Sequence, residues 1–398
     1  MSRLRFLTSG ESHGPALMAI LEGMPAGLPL SADDLRDDLA RRQGGYGRGG
    51  RMLIEKDAAQ ILGGVMGGAT TGAPIGLLIR NRDWKSWRDR DIAPLTVPRP
   101  GHADLTGAIK YGYRDLRLAL ERASARETAA RVAVGAVCKR LLGAFEITVG
   151  GYVVEIGGVA ADLADMPFAQ RFAASEDSDV RCPDPAAGEA MRARIHQAKV
   201  DRDTLGGVFE VAALGLPPGL GSHVHWDRRL SGRLMGAVGS IHAIKGVEVG
   251  PAFENARRQG TAVHDPIALG DDGALRRPSN RAGGLEGGIT TGEPLVVRAA
   301  MKPISTTLNP IDSVDLATGG RSPTQYERSD FCAVPAAAVV GEAMVAFVLA
   351  DALIEKLGGD SLDEMRPRFA ALRRGRLDDL PMDNAPWRFG IEADLGDF

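Results

Sequence analysis

The chain has 398 residues, 44% of them hydrophobic and 25% charged, with a formal net charge of −3. That length suits one large domain or two ordinary ones. Charges of both signs are interspersed, so no chain-wide field favours nucleic acid or an anionic membrane as partner. Cys138, Cys182 and Cys332 are odd in number and show no C-x-x-C spacing. A disulfide framework or thiolate metal site is therefore not expected, and a reducing cytosol fits best. No 18 consecutive apolar residues occur, so no membrane span is predicted, and the first residues lead into a strand-like run instead of a signal-peptide core. Glycine is abundant at 51 and aromatics scarce at 5%, which predicts many tight turns around an Ala, Val, Leu and Ile core.

Residues 8–14, Thr-Ser-Gly-Glu-Ser-His-Gly, interrupt a strand pattern with two glycines before an apolar run at 16–21 that predicts a buried strand. Bracketed in this way, His13 can come close to a ligand or serve as a polar turn residue. A hydrolase triad is a poor reading of Ser12 and His13, because no G-x-S-x-G elbow is present and neighbours on a strand point apart. Residues 41–51 hold four arginines, including Arg42, Arg48 and Arg51, and five glycines. They predict a mobile cationic loop able to order around phosphate or carboxylate groups by bidentate contacts. An RGG-like nucleic-acid segment is the rival, weakened by its shortness and single aromatic.

The strongest internal signal is a repeat. Residues 63–74 and 283–294 are identical at eight of twelve positions at an offset of 220, and each runs into an apolar strand. A shorter echo relates 23–28 to 215–220. Together they predict two related βαβ-type halves, about 1–145 and 200–357, packed as one body with a site at their seam. Residues 146–199 then form a connection, and 358–398 a variable, partly disordered tail. Residues 80–98 are polar and predict an exposed loop. It ends in Arg99-Pro100-Gly101-His102, a rigid turn presenting a second histidine, the side chain suited to proton transfer near neutral pH. His223 and His225 flank a valine without a third ligand, so no metal site is predicted.

Within residues 121–142 an apolar run predicts a core helix that starts at a cap on Ser124. Ser124 and Glu127 have the form of a capping box. Arg122 and Arg126 stand beside the amides at its mouth, a place to hold an anion unless both arginines are simply solvated. Lys302-Pro303-Ile304-Ser305-Thr306 suits a phosphate or flavin contact or an ordinary polar turn. Asp330, before a second apolar helix, also suits an N-cap.

These segments resemble the chorismate synthase family over nearly the whole chain up to about residue 357. The resemblance rests on Gly10-Glu11-Ser12-His13-Gly14, Arg99-Pro100-Gly101-His102, Arg122-Ala123-Ser124-Ala125-Arg126-Glu127-Thr128, the 283–292 run, Lys302-Pro303 and Arg328-Ser329-Asp330, all in the family's order. It implies an α+β fold, a β-α-β sandwich of two pseudo-repeated halves, assembled as a homotetramer in the cytoplasm. It implies conversion of 5-enolpyruvylshikimate 3-phosphate to chorismate and phosphate, the last common step toward aromatic amino acids, with no net redox change. Reduced FMN is the implied cofactor, lending an electron transiently, with NADPH as an external source of reductant.

Residue by residue, the resemblance makes His13 the acid for the departing phosphate and His102 the group that protonates or polarises the reduced flavin. Asp330 helps move the C6 proton. FMN contacts carry over to Arg122, Ala123, Ser124, His242, Ala243, Gly287, Lys302, Pro303, Ile304, Ser305, Thr306 and Arg328. His242 stands where many members have an amide. Arg42, Arg48, Arg51, Arg99 and Arg126 carry over as substrate or NADP contacts. No metal, nucleic acid or membrane is implied. An NAD-linked oxidoreductase is the rival enzyme class, but no G-x-G-x-x-G follows the first strand.

Overall fold

Alternating burial builds the first sheet. In Ala16–Glu22, Leu17, Ala19 and Leu21 are buried while Met18 and Ile20 face outward, so the strand predicted as buried is half-buried. Ile75–Arg80 alternates likewise through Ile75, Leu77 and Ile79. The computed structural model describes residues 4–50, 54–327, 329–383 and 385–386. Its four-stranded sheet runs in the order Arg5–Ser9, Ala16–Glu22, Ile75–Arg80, Ala59–Gly63. A five-stranded sheet runs Ile244–Val249, Leu295–Met301, Gly207–Leu214, Thr148–Ile156, Val159–Ala160. Every pairing within these two sheets is antiparallel, so hairpin-type pairing replaces the parallel crossovers that βαβ units would give. Residues 146–199, read as a connection, supply two strands of the second sheet.

Two apolar helices, Thr128–Gly143 and Val334–Leu357, lie between the sheets. The first packs on the four-stranded sheet, the second on the five-stranded one, and the two pack on each other. The result is a sheet–helix–sheet α+β architecture. Val334–Leu357 is apolar enough by composition to cross a membrane, yet 94% of its most apolar window is buried inside the protein. Its two buried acids are each met by a cation and an amide. Glu342 accepts from Arg41 Nη1 at 2.8 Å and from the Gly151 amide at 2.9 Å, while Asp351 accepts from Arg233 Nη2 at 2.6 Å and from the Leu4 amide at 2.8 Å. Burial works against the Glu342 carboxylate, but Lys139 and Arg41 outweigh it and hold its pKa at about 2.

The helices touch where side chains are smallest. A Cβ at Gly135 would lie 2.3 Å from the Ala343 Cβ and 2.5 Å from its Cα, leaving a methyl no room. Gly135→Ala is therefore expected to lower stability by about 1–3 kcal/mol, the usual range for overpacking. A denaturation midpoint unchanged from wild type would show that the helices part freely.

The two glycine-rich segments fold alike. Gly67 and Gly68 have φ of 59° and 81°, Gly287 and Gly288 58° and 85°, and each pair turns a short hairpin of the kind that needs two left-handed residues in succession. Thr70 Oγ1 donates to the Pro25 carbonyl at 2.6 Å and accepts from the Leu28 amide at 2.9 Å. Thr290 Oγ1 donates to the Pro217 carbonyl at 2.7 Å and accepts from the Leu220 amide at 2.8 Å. In both places the short echo, 23–28 or 215–220, is thus the hydrogen-bond partner of the long one.

Residues 358–383, predicted as a partly disordered tail, fold onto the body. Ser361 caps the helix Leu362–Ala370, which buries Leu362 and Met365 and sets the Phe369 ring 4.9 Å from that of Phe145.

Candidate active site

The loop after the first strand is held from behind. Asn81 Nδ2 donates to the carbonyls of Glu11, Ser12 and Gly14 at 3.2, 3.3 and 2.8 Å, and the Ser12 amide donates to the Glu121 carbonyl at 3.1 Å. His13 is thereby fixed against Glu121. Its amide donates to Oε2 at 2.7 Å, and its ring Nδ1 lies 2.8 Å from Oε1. The other side of the imidazole meets the Trp87 ring at 4.1 Å between centroids. Trp87 belongs to the segment predicted as an exposed loop, in which Asp83, Leu95 and Val97 are buried. Polar composition hid this, because the segment covers the site and does not project from it.

The second histidine sits on a tighter device. Arg99 Nε and Nη2 donate to the two oxygens of Asp104 at 2.8 and 3.0 Å, and His102 Nδ1 lies 2.5 Å from Asp104 Oδ1. Burial opposes ionisation of Asp104, but His102 and Arg99 outweigh it and hold the carboxyl well below its usual range. Arg99 Nη1 donates to Thr306 Oγ1 at 3.1 Å, so this arginine is turned inward as a brace. Gly101, at φ 77°, packs its Cα against Lys302 and Ser305; a Cβ there would lie 3.6 Å from Lys302 Nζ. The Lys302 amide in turn donates to the carbonyl of Ala243, itself left-handed at φ 65°. The structure therefore brings Arg99, His102, Lys302, Ser305, Thr306 and Ala243 together. Ile304 adjoins them through its carbonyl, which accepts from Thr204 Oγ1 at 2.8 Å, and Pro303 accepts from Lys302 Nζ at 3.1 Å.

Behind the His13 loop lies a buried arginine pair. Asp57, with a fully buried side chain, accepts from Arg126 Nη1 at 2.6 Å and from Arg42 Nη1 at 3.2 Å. Arg126 Nε donates to Asn81 Oδ1 at 2.9 Å, linking the pair to the His13 loop, while its Nη2 is buried without a hydrogen-bond partner among the described residues. Burial lowers the Arg42 pKa to about 10, with Asp57 opposing and the charges of Arg126 and Arg48 adding to it. Arg48 is near for a reason. Its Nη1 donates to Asp330 Oδ2, and the Gly49 amide to Asp330 Oδ1, both at 2.6 Å. With the Tyr46 amide on the Asp179 carbonyl and the Phe331 amide on that of Gly47, residues 44–50 are tied down where a mobile loop is predicted. Arg51 and Arg328 lie outside the described residues.

Arg122, Glu127, Arg131, Ser240 and His242, with Thr8 and Phe6, line a cleft of about 430 Å³. Arg122 Nη2 donates to Thr8 Oγ1 at 2.7 Å, across the end of the first strand. Ser124 meets Ser12, hydroxyl to hydroxyl, at 3.0 Å, and Ala123 ends the helix Arg117–Ala123 just before it. The turn Ala125–Glu127 and the helix Thr128–Gly143 follow Ser124, where the cap is predicted, but the capping box does not form. The Ser124 hydroxyl accepts from the Arg126 amide instead of that of Glu127, and the Glu127 carboxylate turns to Thr8 and Arg131. Gly287 stands apart, at its hairpin tip facing His223.

Burial pushes the His242 pKa down to about 4, opposed by Glu127 and aided by Arg131, His102 and Arg122; its Nδ1 is buried with no hydrogen-bond partner among the described residues. As pH falls below the ordinary value of 6.5, the unfolded chain takes up this proton first, so stability declines from about pH 6.5 to about pH 4. His242→Gln is expected to flatten that part of the decline, read as the difference in Tm between pH 7 and pH 5. An identical decline in the variant would contradict it.

Four residues that sequence reasoning passed over carry the geometry: Glu121, Asp104, Asp57 and Trp87. Asp104 had a signal, two places after His102. Asp57 had none, because only the fold brings it to Arg42 and Arg126.

Layering and site together define a class: an α+β enzyme with two carboxylate-anchored histidines and a buried arginine pair. A family model described as Chorismate synthase matches residues 4–354. The chain is 57% identical over 380 residues to the chorismate synthase of Trichlorobacter lovleyi, covering 91% of this chain and 97% of that one. It is 55% identical over 385 residues to the chorismate synthase of Aquifex aeolicus, covering 92% and 96%. A chorismate synthase crystal structure matches with a TM-score of 0.76 at 48% identity, covering 93% of this chain and 97% of that one. The chain belongs to the chorismate synthase family, carbon–oxygen lyases of aromatic amino-acid biosynthesis.

Proposed function

We propose that the protein eliminates phosphate from 5-enolpyruvylshikimate 3-phosphate to give chorismate. The observation that carries this is the pair of histidines, each anchored at Nδ1 by a carboxylate, with the Arg42–Asp57–Arg126 cluster joined to the His13 loop through Asn81. The substrate bears one phosphate and two carboxylates, and fixed guanidinium groups suit all three. Arg126 Nη2 makes no hydrogen bond among the described residues and faces the buried Glu55 carboxylate at 3.7 Å, so the cluster holds its guanidinium groups in place and charged. Arg48, Arg51 and Arg328 complete the set by family position, while Arg99, which family position also offers, is spent on Asp104 and Thr306 as the brace of the His102 turn.

Reduced FMN fits the cleft that His242 and Arg122 line. The unpartnered His242 Nδ1 gives it a polar contact, and Arg122, Ala123, Ser124, Ala243, Lys302, Pro303, Ile304, Ser305 and Thr306, with Gly287 and Arg328 by family position, would hold it. The chemistry a bound reduced flavin supplies is a transient electron to the substrate. The chain's own residues do the rest. His13 gives a proton from Nε2 to the phosphate oxygen as the C–O bond breaks. Asp104 holds His102 with a proton on its ring. Asp330, next to Arg48, stands to receive the C6 proton. One C–O bond and one C–H bond break, a new double bond forms, and the balance is redox-neutral.

The same reading takes residues 1–357 as one body of two related halves, supported by the matching Thr70 and Thr290 hydrogen bonds. It places the enzyme in the cytoplasm as a homotetramer, with NADPH as the distant reductant. Leu7, Met18, Ile20, Leu62 and Met66 leave an apolar surface on the first sheet and its hairpin for another subunit to cover. Phosphate release is expected only when FMN is supplied reduced and air is excluded. Full activity with oxidised FMN and no reductant would overturn the proposal.

A further inference from the structure

Both carboxylate oxygens of Glu121 serve one residue. Oε2 accepts from the His13 amide at 2.7 Å, and Oε1 lies 2.8 Å from the ring Nδ1. The two side chains are 15% and 13% exposed, so water competes little for these bonds. Asp104, which anchors His102, is different, because it also takes Nε, Nη2 and the amide of Arg99. It braces a whole turn. No arginine N–H bonds to Glu121 among the described residues, so its charge is directed at His13. Burial opposes ionisation of Glu121, but the ring and amide of His13, with Arg117 beyond, outweigh it and lower its pKa. An ionised carboxylate only accepts, so Nδ1 must carry the proton of that hydrogen bond.

We propose that Glu121 is a positioning residue for His13. It fixes the Nδ1–H tautomer, sets the ring so that the exchangeable proton sits on Nε2, and stabilises the imidazolium that hands this proton over. Trp87 completes the setting from the opposite side, with its ring 4.1 Å from that of His13 and the Arg117 Cζ 5.7 Å from its centroid. The other charged groups on the surrounding elements are Arg122 on the helix of Glu121, Glu11 on the His13 loop and Asp83, whose Oδ2 accepts from the Trp87 indole at 3.2 Å. The inference rests on His13 being the acid of the proposed elimination.

Glu121→Gln keeps the shape and removes the charge, and its amide can donate to Nδ1 and select the wrong tautomer. In the full chain with reduced FMN and substrate, kcat is expected to fall about 10–100-fold while KM stays within about threefold. The alkaline limb of the kcat profile should move to lower pH by about one unit, since the imidazolium loses its counter-charge. Glu121→Asp should recover part of both. An unmoved alkaline limb in Glu121→Gln would overturn the proposal even if activity fell, because a merely structural role changes Tm and not the limb. Nitrogen-15 spectra of histidine-labelled wild type, with His13 assigned by its loss in His13→Gln, give a check that needs no folded Glu121 variant. The Nδ1–H tautomer is expected, and an Nε2–H tautomer would overturn the proposal. If wild type itself releases no phosphate, the elimination reading fails while the tautomer result still decides the role of Glu121.

Discussion

Asp57→Ala is expected to destabilise the protein by about 3–5 kcal/mol and to leave no measurable turnover. Asp57 is the carboxylate shared by Arg42 and Arg126, at 3.2 and 2.6 Å, and none of the three side chains is more than 4% exposed. Removing it leaves two guanidinium groups facing each other in a water-poor interior. The next carboxylate, Glu55, stands 3.7 Å from Arg126. Breaking one partner out of a buried charge cluster typically costs that much, because the remaining charges stay desolvated. Asp57→Asn keeps an oxygen for one arginine but turns an NH2 donor toward the other and carries no charge, so it should recover only a small part of the loss. Denaturant midpoints compare the three proteins directly. A midpoint for Asp57→Ala within about 1 kcal/mol of wild type would mean that water reaches the cluster and that its burial is not what holds it.

His13→Ala and His102→Ala are each expected to lower kcat at least about tenfold with the fold retained, within the range for lost general acid–base help. The two should differ in their effect on stability. His13 leaves behind a carboxylate, Glu121, that is only 13% exposed and bonds to no arginine among the described residues. His102 leaves Asp104 still bound to Arg99, so the turn keeps its brace. Steady-state rates with reduced FMN, read beside melting curves, separate the two effects. If both variants keep the wild-type rate, neither histidine moves a proton in the reaction.

Much of the site was legible because glycine and charge mark it locally. His102 follows Gly101, at φ 77°, and His13 lies three residues after Gly10, at φ 108°, and such glycine turns stand out in a sequence. The arginines stand out by their number. Their partners do not. Asp57, Asn81 and Glu121 come from three separate segments and acquire meaning only when the sheet and the helix Arg117–Ala123 place them. The capping box failed for a related reason: the Glu127 side chain found Arg131 and the Thr8 hydroxyl, and a tertiary partner outbid the local one. The strand Thr148–Ile156 lies in the segment taken as a connection, and it carries two glycines, Gly150 and Gly151. Each lies against a bulky neighbour, Phe172 in one case and the Ala338 carbonyl in the other, and glycine is what lets the strand pass. The tail helix Leu362–Ala370 was hidden by its charge, since only Leu362 and Met365 turn inward with the ring of Phe369.

The most direct measurement supplies 5-enolpyruvylshikimate 3-phosphate and sub-stoichiometric reduced FMN without air, and follows phosphate, chorismate and the flavin spectrum together. Phosphate and chorismate should appear in equal amounts, many per flavin, with the flavin still reduced at the end. One flavin oxidised for each phosphate released, or no phosphate at all, would contradict a redox-neutral elimination that uses His13, His102 and the buried arginines.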